Sequence, residues 1–129
     1  MTLAYFDTSA AMKLLVQERE TAALGAALGA ATDLRLVASW LLHTELHCAA
    51  GRRPEVLPLR SVMQLLDPID LVDLTRGDMI AASGHAPLRS NDAIHLAVAV
   101  RLGVDSIITY DAELAAAAER TGLAVLAPA

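Results

Sequence analysis

Between Ser106 and Ala127 the chain reads "SIITYDAELAAAAERTGLAVLA" and changes character twice. "SIITY" is a short β-branched and aromatic run, the composition of a buried strand. "AELAAAAERTG" is alanine-rich and closes on a glycine, so it reads as a helix. "LAVLA" is strand-like again. A strand, one helix and a second strand in so short a span imply a βαβ unit, with parallel strands joined by a helical crossover.

The same alternation runs back to the N-terminus. "LAYF" is an apolar run that stops at Asp7 and reads as a strand, and "TSAAMKLLVQE" follows with helical spacing and a Thr8 or Ser9 start. "RETAALGAALGAATD" reads as a second helix in which Gly25 and Gly29 are tolerated small residues, and "LRLVAS" as the next strand. Ser39 is placed to cap a helix over "WLLHTELHCAAG" that ends at Gly51, and Pro54 to begin another over "PEVLPLRSVMQLLD". "IDLVDL" alternates as a strand. "RGDMIAASGHA" is a short helix closed before Pro87, and "NDAIHLAVAVRLG" is a longer one. The expected fold class is therefore α/β: a mostly parallel sheet covered on both faces, with right-handed crossovers. Chemistry is expected at the carboxyl ends of the strands, where the strand order reverses.

With 129 residues and no linker, repeat or low-complexity tract, residues 1–129 are expected to form a single domain. Hydrophobic residues make up 55% of the chain and mean hydropathy is +0.46, yet no apolar run reaches the length a membrane helix needs. "MTLAYFDTSA" has no basic segment of the kind a signal peptide carries, and Cys48 has no partner for an internal disulfide; the expected location is cytoplasmic. A net charge of −5 argues against a broad electropositive nucleic-acid surface, though not against a local basic cleft. The excess of apolar surface suggests a face covered by a partner or a second copy.

Four acids stand where such a fold would gather them. Asp7 and Asp111 each follow a strand directly, Asp92 opens a helix, and Glu45 lies mid-helix with apolar neighbours Leu41, Leu42, Cys48 and Ala49. Each has an ordinary explanation. Asp7 and Asp111 can cap helices, Asp92 can favour a helix dipole, and Glu45 can pair with a buried arginine. A single explanation covers all of them: carboxylates that repel one another are reconciled by a hard divalent cation, Mg²⁺ or Mn²⁺. Such an ion activates water and stabilises charge on phosphoryl oxygens, and no thiol, triad or Gly-rich phosphate loop offers a different chemistry. On this view Glu45→Gln relieves repulsion and does not destabilise the fold.

"YFDTSAAMKLLVQE", "SWLLHTELHCAAGRR", "LRSNDAIHLAVA" and "IITYDAELAAAAERTGLAV" together resemble the PIN-domain family, and within it the VapC-type ribonuclease toxins of type II toxin–antitoxin systems. The resemblance implies a three-layer α/β/α PIN-like domain. It also implies Mg²⁺-dependent endonucleolytic hydrolysis of RNA, tRNA or rRNA, through a metal-activated water. A cognate VapB-like antitoxin and a toxin homodimer are implied with it. Asp7, Glu45, Asp92 and Asp111 fall on the family's acidic positions, with Asp7 and Asp92 in most direct contact with metal and Glu45 and Asp111 completing the site. Ser9 falls on its small hydroxyl position, to bond an acid or a water. Asn91 departs from the apolar residue that many relatives carry before the aspartate, and offers a hydrogen bond to the site. Arg52, Arg53 and Arg89 are candidate phosphate contacts by position.

Other chemistries fit less well. His43 and His47 have the i, i+4 spacing of a zinc pair, but "HTELH" lacks the HExxH order. His95 is expected to be an ordinary half-buried histidine, within reach of Asp92, and Trp40 an anchor in the core or at an interface. Lys13, in the first helix, is the chain's lysine and is expected at the surface; a receiver domain would want one at the last strand. Ser9 stands where a haloacid-dehalogenase-like phosphatase would need an aspartate. The alternative from another class is a catalytically silent PIN-fold binding module.

Overall fold

The computed structural model describes all 129 residues. Five strands, β1 (Thr2–Phe6), β2 (Leu34–Ser39), β3 (Asp70–Val72), β4 (Ser106–Ile108) and β5 (Ala124–Leu126), form one sheet in the order β3-β2-β1-β4-β5. Every pairing is parallel, so the sheet is wholly rather than mostly parallel. β1 is central, and its Ala4, Tyr5 and Phe6 have no exposed surface. Burial of consecutive residues, which point to opposite faces, requires cover on both sides.

Seven helices supply it: α1 (Thr8–Leu15), α2 (Thr21–Ala30), α3 (Trp40–Arg52), α4 (Leu59–Leu66), α5 (Arg76–Ser83), α6 (Ser90–Leu102) and α7 (Ala112–Arg120). α1 packs with α2, α3 and α4, whereas α6 packs with α5 and α7. The chain leaves β1 toward β2 and β3, then crosses back to β4 and β5 on the other side. Right-handed crossovers in opposite directions place the two helical groups on opposite faces. Leu24, Leu42 and Leu46 from the first group, Leu96 and Leu114 from the second, and Ile107 and Ile108 of β4 complete a continuous core around β1.

Most element boundaries differ from expectation by a few residues, and two of the differences turn on a glycine and a proline given a role. Gly51 does not stop α3, which continues to Arg52; no side chain is needed at that exposed position, and Gly51 is accommodated inside the last turn. Pro54 does not open α4. Residues 54–56 form a turn, Leu57 just after it is buried, and the helix starts at Leu59 after Pro58, whose backbone is extended. The rigid φ of proline suits either proline to a helix start, but only at Pro58 does the amphipathic pattern Val62/Leu66 meet the core. At the end of α6, Gly103 takes a left-handed φ of 65° and turns the chain into β4. No helix is long and apolar enough to cross a membrane.

Candidate active site

The strand order reverses between β1 and β4, and the residues just past their carboxyl ends meet there. The Asp7 backbone N–H donates to the Ile108 carbonyl (3.3 Å), extending the ladder one step beyond β1. Asp7 caps α1, accepting from the Ala10 N–H at 2.9 Å. Its carboxylate also accepts from Ser9 Oγ, at 2.8 and 2.9 Å to its two oxygens, and from Thr109 Oγ1 at 2.6 Å. Ser9 therefore bonds an acid, as its hydroxyl position implied. Asp7 is only 2% exposed, and burial pushes its carboxyl above the ordinary value against the pull of the Thr109, Ala10 and Ser9 hydrogen bonds.

Glu45 lies on α3 beside, not within, the stripe formed by buried Leu42, Leu46 and Ala50, and its side chain keeps 20% of its exposure. Its apolar i±3 and i±4 neighbours do not enclose it, because Cys48 faces solvent. Its partner is not an arginine. His95 Nε2 lies 2.7 Å from Oε1, Thr8 Oγ1 donates to the same oxygen at 2.8 Å, and Asn91 Nδ2 donates to Oε2 at 3.0 Å. The Asn91 hydrogen bond is the one its position offered. Burial opposes the charge of Glu45, but His95, Asn91 and Thr8 outweigh it and hold the carboxyl below the usual range.

Asp92 sits in the first turn of α6, and Asp111 caps α7 by accepting from the Leu114 N–H at 2.8 Å. No hydrogen bond from the protein ends on the Asp92 carboxylate. Partial burial, then the negative charges of Asp111, Asp7 and Glu45, raise it to about 6 against the opposing influence of His95. All four acids thus share one electrostatic neighbourhood. No three His, Cys, Asp or Glu side chains are set closely enough to form a metal cage by themselves. That is compatible with Mg²⁺, which keeps several waters and binds through one or two carboxylates. The donor set is all oxygen, and Asp92 offers a carboxylate with no competing protein donor, so the residues fit a hard divalent cation.

His95 is fully buried at 1% exposure, and its partners are Glu45 and Tyr5 rather than Asp92. The signal was present in the sequence: Asn91 and His95 are four residues apart, hence on one face of α6. Thr8 and Thr109 were missed, although each adjoins a strand end beside a named acid. Trp40 is 45% exposed and packs edge-on against His43, so it is no core anchor. The His43 and His47 rings stack at 3.9 Å on the flank of α3 away from Glu45. Lys13 pairs with Glu18 and Glu20. Arg52 lines a cleft of about 370 Å³ together with Thr8, Thr44 and Glu45, whereas Arg53 reaches Glu55 at 3.7 Å. Arg89 is exposed just before α6.

Residues 4–120 match the family model described as PIN domain. The chain is 41% identical over 130 residues to Ribonuclease VapC35 of Mycobacterium tuberculosis, covering 96% of each. It is 38% identical over 132 residues to Ribonuclease VapC46 of the same organism, covering 99% of each. Its fold is similar to the VapBC2 structure from Rickettsia felis bound to a promoter DNA fragment, with a TM-score of 0.77 at 9% identity over 97% of this chain and 98% of that one. It is also similar to M. tuberculosis VapC20, a Sarcin-Ricin loop cleaving toxin, with a TM-score of 0.72 at 15% identity over 88% of this chain and 94% of that one. With a family match across most of its length and relatives of this identity end to end, the chain belongs to the PIN-domain family, among its VapC-type members.

Proposed function

We propose that the protein is a Mg²⁺-dependent endoribonuclease, the toxin of a toxin–antitoxin module, acting in the cytoplasm on RNA of the tRNA or rRNA class. The observation that carries the reading is Asp92: a carboxylate without a protein donor, lifted to about 6 by burial and by the charges of Asp111, Asp7 and Glu45. A group so placed gains from a divalent cation what no neighbouring side chain provides. The names of the relatives support ribonuclease activity, and the similarity to VapBC structures supports a VapB-like antitoxin.

Asp7 and Asp92 would hold Mg²⁺, with Mn²⁺ able to replace it, and Glu45 and Asp111 would complete the site. When bound, the ion lowers the pKa of water and polarises the phosphodiester. The chain's own residues do the rest. Ser9 and Thr109 fix both oxygens of Asp7, and the three donors on Glu45 hold its carboxylate ionised to orient the attacking water. Arg52, in the cleft beside Glu45, meets a phosphate of the RNA strand. Ile80 and Met79, both largely exposed on α5, belong to an apolar face suited to a second copy in a homodimer.

The test is cleavage of total RNA by the purified chain freed of any antitoxin, with Mg²⁺ and with chelator, and mapping of the new ends. Mg²⁺-dependent cleavage that disappears in Asp92→Asn is expected. Equal cleavage in chelator, or by Asp92→Asn, overturns the reading.

A further inference from the structure

Glu45 and Asp92 reach the cleft from opposite faces of the sheet, one on α3 and the other on α6. The direct hydrogen bonds between these two helices all involve Glu45, whose partners on α6 are Asn91 and His95. The two oxygens of Glu45 are held differently. Oε1 has two partners, Thr8 Oγ1 at 2.8 Å and His95 Nε2 at 2.7 Å. Oε2 has one, Asn91 Nδ2 at 3.0 Å. An ionised carboxylate has about two acceptor positions on each oxygen. Oε1 is therefore filled, and Oε2 keeps one position for a ligand in the cleft that Glu45 lines.

The single bond from Asn91 decides how that oxygen is aimed. Thr8 and His95 both end on Oε1, so without Asn91 the far oxygen is free to swing about the held one. The amide has one possible orientation, because a carboxylate oxygen accepts and only the Nδ2 end of the asparagine donates. Asn91 is also the residue before Asp92, in the first turn of α6. The tie to Glu45 and the carboxylate without a protein donor thus stand one peptide unit apart. They share a helix whose Ala93, Leu96 and Ala97 are packed into the interior. The gap between Glu45 Oε2 and Asp92 is set through this one contact.

A fixed gap discriminates between cations. Mg²⁺ is small and demands near-ideal octahedral geometry, whereas Ca²⁺ takes longer bonds in a flexible arrangement of oxygens. Two carboxylates that cannot spread favour the smaller ion; two that are free to open admit the larger. We propose that Asn91 is a positioning residue that ties Glu45 to Asp92 and gives the site its preference for Mg²⁺ over Ca²⁺. The inference rests on the metal-dependent reading above and goes beyond it, by assigning the selectivity to a neutral side chain whose own bond is to Glu45.

The test is calorimetric titration of the full metal-free chain with MgCl₂ and, separately, with CaCl₂, in wild type, Asn91→Leu and Asn91→Ala. Loss of the amide is expected to weaken Mg²⁺ binding about tenfold, the lower end of the range for groups that orient a metal ligand, and to leave Ca²⁺ binding nearly unchanged. The ratio of the two affinities therefore drops in both variants, which differ in bulk and share the lost donor. If one of them fails to fold, the other decides the question. Equal weakening of both ions overturns the tie, and so does no weakening of either. A ratio that drops in only one of two folded variants marks a packing role and overturns it as well. A wild type that binds Ca²⁺ as tightly as Mg²⁺ has no preference to explain, with the same result. An unchanged ratio in the variants, beside wild-type RNA cleavage that needs Mg²⁺ and Asp92, removes the tie and leaves the nuclease reading standing. A wild type that takes up neither ion removes both.

Discussion

Thr109 Oγ1 donates to Asp7 Oδ2 at 2.6 Å, joining the ends of β1 and β4 through side chains one step beyond their last backbone bond. The same hydroxyl oxygen accepts from the Asp111 N–H at 3.1 Å. One threonine therefore braces two of the four acids. Thr109→Val keeps the shape and removes the oxygen. Asp7, buried and already above its ordinary value, then loses the strongest of the hydrogen bonds holding it down. The variant is expected to fold and to bind Mg²⁺ at least tenfold more weakly at neutral pH, measured by titration calorimetry; unchanged affinity would contradict this role.

Asp92→Asn is expected to abolish cleavage, a loss of at least ~10²-fold, because it removes the charge that the cation would meet. Stability should move the other way. Asp92 is raised to about 6 in the fold, so its ionised form weakens the native state, and that cost is absent below the unfolded value and fully present once pH exceeds 6. Metal-free Asp92→Asn should therefore be more stable than wild type above pH 6, by about 1 kcal/mol after solvent screening of a partly exposed group, and equal to it near pH 3. Denaturant melts at the two pH values decide the matter.

Divalent-ion uptake should follow the same group. Above pH 6 Asp92 is ionised and ready; below it, each ion bound must displace a proton. The affinity measured by calorimetry is expected to fall about tenfold per pH unit below 6, with proton release detected by a change of buffer. A flat profile from pH 7 to pH 5 would exclude Asp92 as the contact.

Glu45→Gln reverses an expectation drawn from crowding alone. Repulsion among four acids predicts no loss of stability, but His95, Asn91 and Thr8 hold Glu45 below its usual range. A depressed carboxyl stabilises the fold above its unfolded pKa, and that contribution is lost as pH falls through the folded value. Glu45→Gln should thus lose about 1 kcal/mol at pH 7 and little near pH 3, together with most of its activity. A thermal melt unchanged at pH 7 would restore the crowding argument.

Far from the site, Arg101 reaches Asp78 with Nε at 2.7 Å and a second nitrogen at 3.0 Å. Asp78 is buried in the capping box of α5 and is held below its ordinary value, its burial outweighed by Arg101 and Thr75. Arg101→Met leaves that charge unpaired and should cost about 2 kcal/mol at pH 7. The deficit should narrow in acid, as Asp78 protonates. Equal denaturation midpoints at pH 7 would show the pair to be dispensable.

Much of the fold was legible because β1 and β4 are short, largely apolar runs that give way to Asp7 and Thr109. β2 matches its sequence run from Leu34 to Ser39, and Ser39 caps α3 as its position required. The start of α4 was not legible, since Pro54 and Pro58 carry the same local preference and only packing of Val62 and Leu66 selects between them. The acids were legible as residues beside strand and helix ends. Ser9 and Asn91 were legible as donors to them. The remaining partners were not, because Thr8, Thr109 and Tyr5 reach Glu45, Asp7 and His95 only through contacts between segments 37 to 102 residues apart. Sequence periodicity describes a face of one element and is silent on what another element brings to it.

The separation of Asp7 from Thr109 and Asp111 also has a consequence for synthesis. Asp7 is made well before Thr109, and it lacks that brace until β4 has left the ribosome and inserted beside β1. The shared pocket therefore comes into being only when the second half of the sheet is laid against the first, so the order of synthesis delays it.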